Sequence, residues 1–298
     1  MTTQSNLTVG AYVDVSNLNL SGGRNLQFSV LRRFACRDGA EALHLNAYLA
    51  YDPERAERDP LYQRRTAAFH HAIREQGFKV HLKPVEWRQG QGGRYLRSDA
   101  DLDLALDALL QSRNLDRIVI ASGDGDFTRL SRLLQERGCR VEVVGLDNVS
   151  PLLKRQANLY VTGYLIPGLV PDGLSQGRKD RQESAAAWGE PGSRVRGWCW
   201  THKTSERTGV FRFYRADRPA LWGENDAAAF DEAVFGDRQL PEGTHPELLP
   251  NRSLLFEFGL AGEENNWRAV DIRLAGRPPA NFFQRAVPEE AQPCLSTP

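Results

Sequence analysis

Carboxylates stand at three widely separated places in the chain: Asp14 in AYVDVSN, Asp101 in SDADLDLALD, and Asp124 with Asp126 in IVIASGDGDF. Each place falls where a strand should end or a helix should begin, so one edge of a parallel sheet can gather them all. Crowded carboxylates repel one another, and nothing in an apolar core would neutralise them. A hard divalent cation would: it takes oxygen ligands from several directions, Mg²⁺ keeps part of its water, and such all-oxygen sites act most often on phosphate esters. Asp14 would supply a ligand from the end of the first strand, and neutral Asn17 could orient a water or a scissile phosphate. Gly125 permits a tight strand-to-helix turn, and Asp126 is placed to cap the following helix. Each of these residues alone has an ordinary explanation as a helix cap or an Asp-Gly turn. Their conjunction in one frame points to a metal site.

The neighbours of Asp101 need sorting. Asp99 and Asp103 are four apart on one helix, as are Asp103 and Asp107, and like charges at that spacing cost a few tenths of a kcal/mol. Those that bind no metal should face solvent or a basic partner, while Asp101 lies on a different face. Just upstream, HLKPVEWRQGQGGRYLRSDA carries Lys83, Arg88, Arg94 and Arg97 with Trp87 and Tyr95 among glycines. Cations and rings on a loop suit single-stranded nucleic acid, Arg meeting phosphate while a ring stacks on a base. The plain alternative is a solvated Gly-rich loop. Arg129 and Arg132 either line the same rim or serve as solubilising charge. His70 and His71 are adjacent on a helix, which suits surface or packing roles, and His202 with Lys203 offers a weak phosphate contact. No Ser-His-Asp or Cys-His arrangement, P-loop or G-x-G-x-x-G after the first strand is present.

The elements that must position these groups alternate regularly. Strands are expected at 8–15, 43–49, 78–85, 117–121 and 140–145, with an edge strand at 159–165. Helices are expected at 26–37, 60–76, 101–110, 127–137 and 152–158, two of them closed by Gly77 and Gly138. This rhythm predicts a parallel sheet with helices on both faces, whose sites lie outside the carboxyl ends of the strands. Residues 167–193 read as a Gly- and Pro-rich linker. Residues 194–275 carry short aromatic and β-branched runs with the texture of a small antiparallel barrel, and 276–298 read as a tail.

At 298 residues, 41% apolar and 26% charged, the chain has room for about two soluble domains. Lys plus Arg and Asp plus Glu both number 38, so the mean charge gives no sign of a polyanion partner and charge must be read locally. Cys36, Cys139, Cys199 and Cys294 show no C-x₂-C spacing, which argues against a zinc ribbon or a disulfide framework and for a reducing compartment. The N-terminus lacks the apolar run of a signal peptide and no stretch reaches the ~20 apolar residues of a membrane span, so the expected location is cytoplasmic.

The segments AYVDVSNL, SDADLDLALDALL and RIVIASGDGDFTRLSRLLQERGCRVEVVG resemble the NYN domain, a branch of the PIN-like nuclease superfamily, over residues 7–166. The resemblance implies an α/β fold, a PIN-like parallel sheet flanked by helices, and ribonuclease activity with Mg²⁺ or Mn²⁺ in an acidic pocket. By position, Asp14, Asp101, Asp124 and Asp126 would be metal ligands, with Asn17 beside them and Ser122 in the turn. One departure stands out: relatives often have Lys and Gly ahead of the helical Asp, where this chain has Ser98, Asp99 and Ala100. Residues 194–275 resemble a cold-shock-like OB barrel through RGWCW, GVFRFYR, DEAVF and RSLLFEFGLAGEENNWRAVDIRL. That resemblance implies RNA stacking by Trp198, Trp200, Phe211 and Phe213, or a core role for part of them. The family's Lys-Gly-Phe-Gly-Phe run is here Thr208-Gly209-Val210-Phe211-Arg212-Phe213. The expectation is a metal-dependent ribonuclease that cuts single-stranded RNA held by an OB-like module, without a membrane partner and compatible with a homodimer. Rivals are a catalytically inactive RNA-binding regulatory protein, a DNA-directed nuclease, and a small-molecule phosphatase or phosphotransferase. An Asp-x-Asp pair at the first strand would favour the last, and AYVDVSN lacks it.

Overall fold

A computed structural model describes residues 7–90, 93–97, 99–170, 189–214, 230–250, 254–263 and 266–276, with the backbone alone described for 86–97. Six parallel strands form one sheet: β1 (Thr8–Asp14), β2 (Glu41–Tyr51), β3 (Lys79–Pro84), β6 (Arg117–Ala121), β7 (Arg140–Gly145) and β8 (Leu159–Thr162). Their spatial order is β3-β2-β1-β6-β7-β8. β6 is buried along its whole length, as a central parallel strand covered on both faces should be. The chain builds outward from β1 in one direction and from β6 in the other. The order therefore reverses between those two strands, where open α/β sheets leave a crevice at the carboxyl ends.

Helices α1 (Val15–Leu20), α2 (Phe28–Ala35), α3 (Pro53–Arg58), α4 (Pro60–Glu75), α5 (Ala100–Gln111), α6 (Phe127–Glu136) and α7 (Pro151–Gln156) complete this part. α4 starts where the Asp59 carboxylate accepts the Leu61 and Tyr62 N–H groups, with Pro60 at its first position. It ends at Gly77, whose φ of +85° provides the left-handed exit. Phe28, Phe34, Ile73 and Phe78 pack on one face of the sheet; Leu104, Ala108, Phe127, Leu134 and Leu153 pack on the other. At the amino ends of the strands, fully buried Glu142 gathers Arg37 (2.8 Å), Arg140 (2.8 Å) and Arg117 (3.5 Å).

Two short helices, α1 and α3, arise where the sequence pattern showed only strand ends. The expected loop after β3 is instead an antiparallel hairpin of β4 (Glu86–Gly90) and β5 (Gly93–Arg97).

A closed five-stranded barrel follows: β9 (Arg194–Lys203), β10 (Thr208–Tyr214), β11 (Phe230–Gly236), β12 (Leu255–Glu263) and β13 (Asn266–Gly276), ordered β10-β11-β13-β12-β9. The expectation of an antiparallel barrel is corrected at one seam. β11 and β13 run parallel and share only the Ala233–Trp267 and Val234–Arg268 positions. Beyond that short pairing the Gln239 amide spans the gap, accepting the Gly236 N–H (2.8 Å) and donating to the Ala269 carbonyl (3.1 Å).

The barrel does not hang on a free tether. Trp198, Tyr214, Leu255 and Ala275 join the same apolar cluster as Leu165, Ile166 and Leu169, which follow β8. Of the expected linker and tail, residues 171–188 and 277–298 lie outside the described residues.

Candidate functional site

Asp14 and the turn Ser122–Asp126 leave β1 and β6 side by side at the reversal of strand order. The Asp14 carboxylate is 7% exposed and caps α1 by accepting the Asn17 N–H at 3.0 Å. Its other oxygen accepts the Ser122 hydroxyl at 3.2 Å, and the Ser122 oxygen accepts the Asp124 N–H at 3.1 Å. The Asn17 side-chain oxygen accepts the Gly123 N–H at 2.9 Å. One lattice of hydrogen bonds therefore fixes the start of α1 to the turn after β6. Gly125 keeps this turn closely packed: a Cβ there would stand 2.9 Å from the Ser150 hydroxyl oxygen and force that side chain to shift, and the Ser150 N–H holds the Gly123 carbonyl (2.9 Å).

Asp101 reaches this edge from α5. The Tyr12 hydroxyl donates to Gln111 (3.0 Å) and the Tyr48 hydroxyl to Asp107 (2.8 Å), which orients α5 antiparallel to the strands. At ~1.5 Å per residue, Asp101 lies about 9 Å beyond Asp107 towards the carboxyl edge. Burial raises the pKa of Asp14, the hydrogen bonds from Asn17 and Ser122 oppose the rise, and the charges of Asp124 and Asp101 add to it. Asp14 thus feels carboxylates from two other elements.

Asp126 departs from expectation. It is exposed, and its side chain does not cap α6; instead its N–H donates to Asp124 Oδ1 at 3.0 Å. The neighbours on α5 are otherwise engaged, as like charges require. Asp103 pairs with Lys83 at 2.8 Å, and Asp107 takes the Tyr48 hydroxyl beside His81, whose ring stacks on Tyr48 at 4.6 Å. Lys83 is therefore bound in an ion pair, which corrects its expected place in a free basic loop. The side chains of Arg88, Arg94 and Arg97 lie outside the described residues.

All-oxygen donors of this kind suit a hard cation. Among the described residues no three His, Cys, Asp or Glu side chains form a ready metal cage. A cation that keeps several waters and takes one or two carboxylates, as Mg²⁺ does, needs no such cage. Asp14 and Asp124, joined through Ser122, are the carboxylates that could hold one, with Asp101 reaching the same edge from α5.

Three of the four barrel rings are core. Phe211 and Phe213 are fully buried; Phe211 stacks on Phe235 (4.1 Å) and lies 4.9 Å from both Phe256 and Phe258. Along β9, Val195 and Cys199 point into the barrel, so Trp198 points outward, where it is buried against Phe230 and the sheet-side core. Trp200 is half-buried with the Arg212 guanidinium 3.6 Å over its ring, and Arg212 is tied to Glu232 at 2.9 Å. Alternation alone could not tell an outward ring in water from one under a neighbouring core. His202 is buried too, with Nε2 2.7 Å from Asp237 and Nδ1 unpartnered, which removes it as a phosphate contact. His70 is buried edge-on to Tyr51, while His71 pairs with Glu75 on the surface. Arg132 is paired with Glu136.

Ser150 and the α1 helix escaped the sequence reading. The D-x-x-N spacing of Asp14 and Asn17 was the available signal for the helix cap.

Low amplitude and bright protein LabA of Synechococcus elongatus is 28% identical over 145 residues, 46% of this chain and 73% of LabA. A crystal structure of a protein of unknown function from Vibrio parahaemolyticus is 26% identical and covers 54% of this chain and 96% of its own, with a TM-score of 0.44. The NYN domain profile matches residues 8–165, from the first residue of β1 to just past β8, and this chain belongs to the NYN domain family.

Proposed function

We propose that this protein is a metal-dependent endoribonuclease that cleaves phosphodiester bonds of single-stranded RNA at the crevice between β1 and β6. The observation that carries this reading is the placement of Asp14 and Asp124, joined through Ser122, at the reversal of strand order, with Asp101 brought to the same edge by α5. Membership in a family of nuclease-like domains supports it. A bound Mg²⁺ or Mn²⁺ would shield the phosphodiester charge and make a nearby water more acidic. The chain's own residues do the positioning. Ser122 and the Asn17 N–H fix both oxygens of Asp14, the Asn17 side-chain oxygen anchors the Gly123 N–H, and Ser122 links Asp14 to the Asp124 backbone despite the like charges. The cysteine usage of the sequence suits a reducing compartment, and on that ground we place the protein in the cytoplasm; among the described residues no helix is long and apolar enough to cross a membrane.

The β4–β5 hairpin, with Arg88, Arg94 and Arg97 along it, leads into Asp99 and α5 and gives an RNA strand a path to Asp101. The barrel, read as cold-shock-like and OB-like, would contact RNA through its surface charges, since its aromatic rings are engaged in packing.

The test is cleavage of a labelled single-stranded RNA with Mn²⁺ or Mg²⁺, beside Asp124→Asn. Wild-type cleavage lost in the variant, with RNA binding kept, supports the reading. Full metal-dependent cleavage by Asp124→Asn refutes the assignment, and RNA binding without cleavage by either protein makes the chain a regulatory RNA-binding protein.

A further inference from the structure

The barrel touches the acidic site through a short series of contacts. Arg196 on β9 is 4% exposed and paired with Glu257 at 2.9 Å. Its Nη1 donates across the junction to the carbonyls of Tyr164 (3.4 Å) and Val170 (3.5 Å). Tyr164 in turn donates its hydroxyl to Asp147 at 3.3 Å. The Asp147 N–H donates to the Ser21 carbonyl at 3.1 Å, and Ser21 closes α1. Gly22, with φ +93°, fits only because it lacks a side chain: a Cβ there would collide with the Tyr164 hydroxyl and stand 3.0 Å from Asp147. Burial raises the Asp147 carboxyl against the opposing hydrogen bond from Tyr164, consistent with an enclosed contact.

α1 is thereby held at both ends. Its first turn is bound to the site by Asp14 and by Asn17, which grips Gly123. Its closing residue, Ser21, is bound to Asp147, which Tyr164 holds, and through them to the barrel. The helix has six residues, too few to hold its shape without tertiary support.

We infer that the barrel braces the acidic site, and that Arg196, Tyr164 and Asp147 are positioning residues whose contacts set the placement of α1, and with it Asn17 and Asp14. The role in cleavage rests on the reading of the acidic site as a ribonuclease centre; the brace itself does not.

Two variants test it in the full chain. Tyr164→Phe removes one hydroxyl and keeps the ring. Arg196→Lys keeps a cation beside Glu257 but lacks the reach to both carbonyls. Amide hydrogen exchange is read across the molecule, together with kcat and KM on single-stranded RNA. The expected result is at least fivefold faster exchange at residues 20–23 in both variants, with exchange in β6 and β7 unchanged. In a protein that cleaves RNA, kcat should fall at least fivefold while KM stays within twofold. Unchanged exchange at 20–23 overturns the brace whether or not the wild type cuts RNA, as does uniform acceleration across the sheet, which would mark general destabilisation. Faster local exchange with unaltered kcat in a cleaving protein overturns the positioning role. If the wild type does not cleave, the ribonuclease reading fails by itself and the exchange result alone decides the brace.

Discussion

Removing the charge of Asp14 should stabilise the metal-free protein while destroying its chemistry. Folding raises the Asp14 pKa, first through burial and then through Asp124 and Asp101, against the hydrogen bonds from Asn17 and Ser122. A group whose folded pKa lies above its unfolded value favours folding in its protonated form. That contribution is fully present below the unfolded value of ~3.9 and is lost as pH rises through the folded value. Asp14→Asn keeps the neutral form at every pH. Its side-chain oxygen can still cap α1, since Asn and Asp cap about equally well, and the Ser122 hydroxyl can turn to accept from the amide. Asp14→Ala removes the same charge but loses the cap, about 1 kcal/mol, and the Ser122 partner, about another 1 kcal/mol. The two variants should therefore differ by about 2 kcal/mol, or about 4–8 °C in Tm at ~2–4 °C per kcal/mol. The assay is thermal unfolding from pH 3 to pH 8 with chelator present. Asp14→Asn should match the wild type near pH 3 and exceed it increasingly towards neutrality, with Asp14→Ala below Asp14→Asn throughout. An Asp14→Asn variant less stable than wild type at pH 7, or a gap independent of pH, would refute the electrostatic account of this site.

Other expectations follow from the same contacts. Mn²⁺ at 100 times its Kd should stabilise the wild type by ~2.7 kcal/mol and Asp14→Asn much less, read as the metal-dependent shift in Tm. Glu142→Gln leaves Arg37 and Arg117 buried around a neutral amide and should cost ~3–5 kcal/mol in denaturant unfolding; a loss below ~1 kcal/mol would show that the arginines find other partners. Gly125→Ala should impair cleavage by forcing Ser150 away, and Gly125→Ala with Ser150→Gly should restore it; a double variant as weak as the single one would mean that the turn needs glycine for another reason. Trp198→Ala should cost ~3–5 kcal/mol, as for a buried core ring, without a specific loss of RNA affinity when both are measured on the folded fraction.

The alternating pattern of the first half was legible because most of its strands are continuous apolar runs and its helices carry their own punctuation: Pro60 after Asp59, Gly77 and Gly138. β6 and β7 fall on the residues that the pattern indicates. The meeting of Asp14 with the turn after β6 was legible for the same reason, since strand ends in a parallel sheet share an edge. The pattern could not show that Asp126 leaves α6 uncapped, because an Asp before a helix looks the same whether or not its carboxylate turns back to cap. It also hid α1, whose six residues are too short for a helical period and depend on Asp14, Ser21 and Asn17 for their shape. In the barrel, period-2 alternation identified which residues share a face but not what covers that face. Trp198 was therefore open to two readings that only the packing of 165–170 beneath it could separate.

The apolar seam between barrel and sheet bears on how such chains can be taken apart. The NYN match stops at residue 165, yet Ile166 and Leu169, just beyond it, are buried with Trp198 and Leu255. A cut at that border would strip an oily patch bare on each piece, and both pieces would be prone to self-association. A barrel exchanged for another would have to present the same outward Trp and Arg from its first strand. The boundary at which sequence similarity ends is therefore not a boundary at which this protein can be divided, and whatever second module replaces the barrel in an engineered chimera must inherit its footprint along with its fold.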